Sequence, residues 1–514
     1  MRKRPNFLFL IADQLRADYL SCAGHPAVKT PNIDRIAARG TMFNRFYVAN
    51  PVCMPNRASI MTGRMSSVSG VRHNGIPLPL EANTFVDVLR EGGYDTALIG
   101  KSHLQCTVAG EPELGPNPAG QGVLANARKR PDGNYEQEID ANWDAKGHNA
   151  MDLPYYGFSH VEITTGHGDK AGATHLMHQR AAIDDPERLR GKANQLPHAY
   201  TCPQAIRTRV PEEQYSTFWI RDRAVDYLSS PDRKETPFFA FVSFPDPHHP
   251  FTPPGKYWDM YDPDDMVLPE SFHRHSNTPP PHLNWLRENV EPGKAAYGAA
   301  LVNERQAREA MALTCGMIAM IDDAVGTLLD QLEDNGLAED TIIIFTSDHG
   351  DFLGDHGMIL KGPMHYQSTI RVPFIWADPD DAKSAQSERL SSSVDIARTI
   401  LDHAGLMPFH GMQGENLFAS RTRKSVLVED DGNRVSLGFS RAPRLRTLVT
   451  DRYRMSIYQD QDWGELYDLT SDPGEITNLW DDPSMVGIKA SLQFELIQQM
   501  ARTCDSSPWP DSLA

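Results

Sequence analysis

The residues best suited to chemistry lie together in Pro51-Val52-Cys53-Met54-Pro55-Asn56-Arg57-Ala58-Ser59-Ile60-Met61-Thr62-Gly63. The pattern is C-x-P-x-R, closed by T-G. Pro55 fits the first turn of a helix, where its missing N–H costs nothing. Cys53 then stands at the helix entrance, where unpaired N–H groups and the dipole favour an anion. Arg57, four residues on, shares that face. A thiol, a cation and a helix N-terminus together suit a reaction on an oxyanion. The same spacing also suits a buried cysteine beside a helix cap, and spacing alone does not choose between them.

Such a reaction needs charges held by rigid elements, and several strand ends offer them. Residues 6–12 are almost continuously apolar, as in a parallel strand buried on both faces; Asp13-Gln14 follow. Residues 94–99 form another strand that delivers Gly100-Lys101-Ser102-His103. The strand at 238–244 runs into Pro245-Asp246-Pro247-His248-His249-Pro250. The strand at 341–346 ends in Ser347-Asp348-His349-Gly350, and Lys361 and a strand at 372–376 come next. In open α/β sheets, ligands bind beyond the carboxyl ends of the strands. Two carboxylates and an amide carbonyl, from Asp13, Gln14 and Asp348, are hard oxygen donors suited to Ca²⁺, Mg²⁺ or Mn²⁺. Helices are expected at 30–40 (Thr30 as N-cap, Pro31 at N1, Gly40 past the end), 83–91, 304–333 and 393–403.

The chain has 514 residues, enough for a large core and two to four domains. A net charge of −18 argues against nucleic acid or an anionic membrane as partner. Residues 1–72 run the other way, with 11 Lys/Arg against 3 Asp/Glu, which suits an anionic substrate or a basic face paired with an acidic one. The N-terminal Arg2-Lys3-Arg4 and the apolar run after it imitate a signal peptide. The run is too short for that or for a membrane span, so a cytoplasmic protein is expected. The six cysteines show no disulfide framework. Residues 105–235 lack periodicity and read either as surface loops or as an insertion that shapes the substrate site. Residues 252–300 are a Pro-rich excursion. From about 424 short alternating strands (425–429, 446–450, 453–458) indicate a small antiparallel C-terminal part with a covering helix.

The stretch around Cys53 resembles the sulfatase signature. In that family the cysteine is oxidised to Cα-formylglycine, whose hydrate is the nucleophile, and a formylglycine-generating maturase is implied as partner. Gly93, Tyr94, Thr96, Gly100, Lys101 and His103 resemble a second family element. His248 resembles its P-H-x-P segment, and Lys361 the lysine after the Asp-His turn. Glu465–Leu469 and Asp472-Pro473-Gly474-Glu475 resemble its C-terminal signature and have a structural role. The resemblance implies an alkaline-phosphatase-like α/β sandwich over 1–420, with 105–235 and 252–300 as insertions and a small α+β part over 421–514. The sheet is expected to be mixed and mostly parallel. It also implies one divalent ion, Ca²⁺ foremost, then Mn²⁺ or Mg²⁺, on Asp13, Gln14, residue 53, Asp348 and His349. Arg57, Lys101 and Lys361 would stabilise the transferring group. His248 would protonate the leaving oxygen, and His103 would take the proton that releases sulfate.

Gln14 and His349 stand where many sulfatases have a second Asp and an Asn, which looks more like the phosphonate monoester hydrolase and choline sulfatase branches. Lys101 and His103 pull back towards a sulfatase. The expected reaction is hydrolysis of a small organic sulfate ester by a chain that needs no nucleic acid or membrane and admits a homo-oligomer. The alternative is a phosphonate monoester or phosphodiester hydrolase with the same nucleophile. A phosphotransferase or isomerase relative would use Ser or Thr at position 53, and a silent binding protein would keep the thiol.

Overall fold

The computed structural model describes residues 4–110, 127, 129, 132–146, 151–276, 278–296, 298–421 and 423–512. Its centre is an eight-stranded sheet: β1 (Asn6–Ala12), β2 (Thr41–Phe43), β3 (Asp95–Lys101), β4 (His160–Thr164), β5 (Phe238–Ser243), β6 (Thr341–Ser347), β7 (Phe374–Ala377) and β8 (Ala385–Ser387). The spatial order is β8-β2-β7-β6-β1-β5-β3-β4. Only β7 runs against the others. The apolar run of β1 is explained by its place at the centre, with neighbours on both sides and helices on both faces.

Alternation along the strands feeds two cores. Leu8, Leu10, Ala97, Ile99, Ala240 and Val242 face one layer. That layer contains α1 (Pro31–Ala38), α4 (Ser216–Leu228) and α5 (Glu304–Asp334). Phe7, Phe9, Ile11, Leu98, Phe239 and Phe241 face the other. There lie α2 (Cys53–Thr62), α3 (Phe85–Glu91) and α6 (Asp395–His403). Helix α5 is long and apolar enough to cross a membrane, but 89% of its most apolar window is buried inside the protein, as in a core helix. Thr30 does stand at the N-cap of α1, yet its hydroxyl bonds Ser21 and Asp34. The free N–H groups of Asn32 and Ile33 instead meet the carboxylate of Asp322 on α5.

The segment 105–235 is more than loop. Its β4 is the edge of the main sheet and its α4 is part of a core layer. Residues 111–126, 128, 130–131 and 147–150 of that stretch lie outside the described residues. Beyond the main sheet, β9 (Ser425–Asp431), β10 (Arg444–Thr450), β11 (Tyr453–Tyr458) and β12 (Gly464–Asp468) form an antiparallel sheet in sequence order. Helix α7 (Val486–Arg502) covers it through Leu492 and Leu496. The signature residues Glu465 and Glu475 clamp the buried guanidinium of Arg454 there, which is their structural role.

Register sets the rim that carries the candidate residues. Ala12 lies opposite Ser347, and Ile11 and Gly100 both lie opposite Ser243. The chain therefore leaves β1, β3, β5 and β6 at nearly one level. Gly100 has φ +105°, and a Cβ there would stand 2.0 Å from the carbonyl oxygen of Ser243. Gly100→Ala is expected to push β3 from β5, displace Lys101 and lower the thermal midpoint; a midpoint and kcat equal to the parent's would show that the strands can absorb the methyl.

Candidate active site

Helix α2 begins at Cys53, as the motif required, and all ten of its residues are buried. Val52 offers no side-chain cap. Instead Asn74, from a separate loop, accepts from the N–H of Met54 at 3.2 Å. Asn56 donates to the carbonyl of Asp348 at 2.6 Å, which ties the helix to the end of β6. Gly63 closes the helix in the left-handed region, φ +63°.

Cys53 faces the strand ends. Its Sγ lies 3.1 Å from His349 Nε2 and 3.7 Å from Asp13 Oδ1. Ligand atoms of Asp13, Cys53, Asp348 and His349 all lie within 4.8 Å of one another, and all four residues are buried. His349 Nδ1 donates to the carbonyl of Gly350 at 2.9 Å, since a carbonyl only accepts. Its Nε2 is therefore the atom turned to the cluster. Burial and Lys361 oppose charge on His349, but Asp348, Cys53 and Asp13 outweigh them and raise it to about 10. Burial likewise raises Asp13, but Lys101, His248, His167 and His349 prevail and hold it well below the usual carboxylate range. Burial and Asp13 push the Cys53 thiol up; Lys361, Lys101 and His349 more than reverse this.

The other predicted residues converge on the same place with distinct partners. Arg57 is turned away from the cavity. It donates to Asp348 Oδ2 at 2.7 Å, and to the Lys101 carbonyl and Ser243 Oγ at 2.9 Å each. It holds the carboxylate frame, and its Nη2 is buried without a hydrogen bond among the described residues, 3.8 Å from Asp13. Lys101 contacts Asp13 directly and donates to His167 Nε2 at 2.6 Å. Gln14, in a left-handed conformation, accepts from Lys361 at 2.9 Å and donates to Asp351 and His249. Its amide oxygen is thus already engaged by a lysine. Lys361 also lies 3.0 Å from His248 Nε2, while His248 Nδ1 donates to the His249 carbonyl. Burial, then His167, Lys361 and His249, press His248 well below its ordinary value, so it is neutral. His103 is pressed down too, by burial and then Lys101, His167 and Arg57.

Sequence reasoning leaves His167 unassigned and passes over Asp351. The ring of His167 stacks on His248, centroids 3.6 Å apart. Burial and Lys101 bring it to about 4. Asp351 accepts from the N–H groups of Leu353 and Leu360 and from Gln14, bracing the turn after β6. Its place three residues after Asp348 is the signal that could have found it. Cys53, His103, His167, His248, His249 and Lys361 line a cavity of about 280 Å³. Its far wall includes Asp430 and Asp431 at the end of β9 and Asn433 and Arg434 just beyond. The site is thus a cationic and imidazole-lined cavity over two buried carboxylates and a cysteine at a helix entrance. That arrangement can bind a tetrahedral oxyanion, present a nucleophile from position 53 and move protons along its wall.

A family model described as Sulfatase matches residues 5–406. A second, described as N-sulphoglucosamine sulphohydrolase, C-terminal, matches 354–502. The chain is 27% identical to the uncharacterized sulfatase YidJ of Escherichia coli K12, covering 98% of this chain and 88% of that protein. It is 28% identical to an arylsulfatase of Clostridium perfringens, covering 93% and 90%. Among solved structures it resembles the phosphonate monoester hydrolase of Agrobacterium radiobacter, with TM-score 0.76 and 25% identity over 98% of this chain and 96% of that one.

Proposed function

Since this chain belongs to the sulfatase family, and so to the sulfuric ester hydrolases, we propose that its substrate is a small organic sulfate monoester, aryl or alkyl. The observation that carries this reading is the meeting of Cys53, His248 and Lys361 around one cavity at the strand ends, with Lys101 buried beside it against Asp13 and His167. A sulfate monoester carries a single negative charge, and two ammonium groups match it as charge shifts to the leaving oxygen.

The buried cluster fits a divalent cation. Asp13 and Asp348 bring hard oxygens, His349 turns Nε2 inward, and residue 53 adds a fourth donor. Ca²⁺ suits the carboxylates, and the imidazole leaves Mn²⁺ or Mg²⁺ as alternatives. When bound, such an ion polarises the ester oxygens as a Lewis acid. Formylglycine at position 53, installed by a maturase, supplies an oxygen nucleophile where the thiol now stands. Loss of about 18 Da from the peptide containing Cys53 is the mark of that conversion, and an unmodified thiol in fully active enzyme would overturn it.

The chain's own groups then divide the work. Lys101 and Lys361 hold the sulfuryl oxygens, while Arg57 holds Asp348 in place. His248 receives its hydrogen bond from Lys361, so the pair can pass a proton to the departing alkoxide and draw a new one from solvent. His103, neutral and with Nδ1 lacking a partner among the described residues, is poised to accept the proton whose loss frees sulfate. His248→Ala is expected to cost about 10²–10⁴-fold for alkyl or weakly acidic phenyl esters and far less for nitrophenyl sulfate, whose leaving group needs little protonation. A series of aryl sulfates graded by phenol acidity reads this out; equal losses across the series would remove His248 from the acid role.

A second reading, a phosphonate monoester or phosphodiester hydrolase with the same nucleophile, is favoured by the likeness to the Agrobacterium radiobacter enzyme. Matched aryl sulfate, phosphonate monoester and phosphodiester substrates decide between them. The sulfate is expected to give the highest kcat/KM, and the reverse order would establish the second reading.

A further inference from the structure

We propose that Glu138 is the positioning residue for His103, holding its turn through a ring of backbone N–H groups. Glu138 is fully buried. Its Oε2 accepts from the N–H of His103 at 2.8 Å, and its Oε1 from the N–H groups of Leu104 and Gln105 at 3.0 Å each. The hydroxyl of Tyr155 donates to Oε1 as well. Three successive backbone N–H groups reach one carboxylate because the chain turns through the left-handed region at His103, φ +61°. A non-glycine residue holds that conformation where its surroundings over-determine it. Consecutive N–H groups arranged in this way form an anion-binding concavity, and here the anion is a side chain of the protein itself.

Further bonds strap the two segments together. Gln105 donates to the carbonyl of Asn134, and the N–H of Gln137 donates to Gln105 Oε1, both at 3.0 Å. As a result the His103 imidazole lines the cavity with Cys53 and His248, nine-tenths buried and with Nδ1 unpartnered among the described residues. Lys101 is fixed by β3, but His103 lies past the end of that strand, where the sheet no longer determines the backbone. Part of the otherwise unreadable 105–235 segment therefore sets the direction of one imidazole. Burial pushes the Glu138 carboxyl up, against the pull of Tyr155 and the N–H groups.

The assignment rests on the reading of His103 as the group that accepts a proton, so the test separates the two. Glu138→Gln keeps the shape but replaces one acceptor oxygen by a donor that faces other donors. In matured enzyme, with conversion at position 53 measured by mass spectrometry, kcat is expected to fall about 10²-fold, as for an ångström-scale misplacement. KM should stay within about threefold, because the sulfate-binding lysines are untouched. The double variant Glu138→Gln/His103→Ala should be no slower than His103→Ala alone, since two residues acting as a unit are not additive. A parent-like kcat in Glu138→Gln beside an inactive His103→Ala overturns the assignment alone. So does a loss that multiplies with that of His103→Ala, because Glu138 would then act elsewhere. A parent-like His103→Ala overturns the proton-accepting role and the assignment with it. If Glu138→Gln does not fold, Tyr155→Phe takes its place in the same cycle; it removes one donor, the expected loss is about tenfold, and an unchanged kcat overturns the proposal.

Discussion

Asp348→Ala is expected to lose nearly all turnover, the bound divalent ion, and about 3–5 kcal/mol of stability, the usual cost of stripping one partner from a buried ion pair. Asp348 is fully buried and is the anion that Arg57 is built around, with Nε donating at 2.7 Å and side-chain exposures of 1% and 0%. Its other oxygen accepts from the N–H of Gln14 at 3.1 Å, so the same carboxylate fixes the left-handed turn that follows β1. Removing it leaves a guanidinium in the interior and releases the turn. Asp13→Ala should lose activity and metal to the same extent, since it is the partner of Lys101. Asp348→Asn separates the effects: the amide oxygen still accepts from Gln14, so much of the turn should persist, while the lost charge still removes the ion. Plasma mass spectrometry of the purified variants counts metal per chain, and denaturant titration gives stability. Stoichiometric metal in both alanine variants would place the ion elsewhere.

The positions of Asp13, Lys101, His248 and Asp348 could be anticipated because each stands at or beyond the end of a buried parallel strand. Such a strand needs an unbroken apolar run, so its end is sharply marked by the first polar residue. The direction of β7 could not be anticipated, because a buried strand has the same composition whichever way it runs. Arg57 was legible as a cation beside Cys53 but not in its target. Helical spacing fixes the face a side chain leaves from, whereas the acceptors on Asp348, Lys101 and Ser243 are supplied by three different strands.

His167 and Glu138 were hidden for a related reason. Their neighbourhood is held by side-chain to backbone bonds between distant segments, which leave no period in the sequence. Glu138 is 35 residues from His103, and nothing between them repeats. The acidic and basic residues at 430–434 form strand-end and loop positions of the small sheet, which composition marks only as a C-terminal appendage. Their place on the cavity wall follows from how that sheet packs beside the start of α2, where the N–H of Glu429 donates to the carbonyl of Ala49.

Replacing the cysteine itself gives the sharpest result. In Cys53→Ser the frame of Asp13, Asp348, Arg57 and Lys101 is unchanged, and the new hydroxyl stands at the helix entrance where the thiol stood. It lies beside His349 Nε2, 3.1 Å from the sulfur it replaces. With the cations in place, a serine oxygen can attack sulfur and expel the alcohol. It has only one oxygen. A formylglycine hydrate has two, and in the proposed scheme the second lets sulfate depart by cleavage of a carbon–oxygen bond with His103 taking the proton. The serine ester lacks that exit, and its release requires water to attack sulfur in a site arranged for carbon–oxygen cleavage. The variant should therefore give at most one equivalent of alcohol per chain and stop. Denaturing mass spectrometry after exposure to substrate should find a sulfate adduct on the serine introduced at position 53, and a double variant with His103→Ala should show the same burst, because in the proposed scheme that histidine acts only after the first transfer. Sustained turnover at the parent rate would mean that one oxygen suffices, and the formylglycine reading of Cys53 would have to be abandoned.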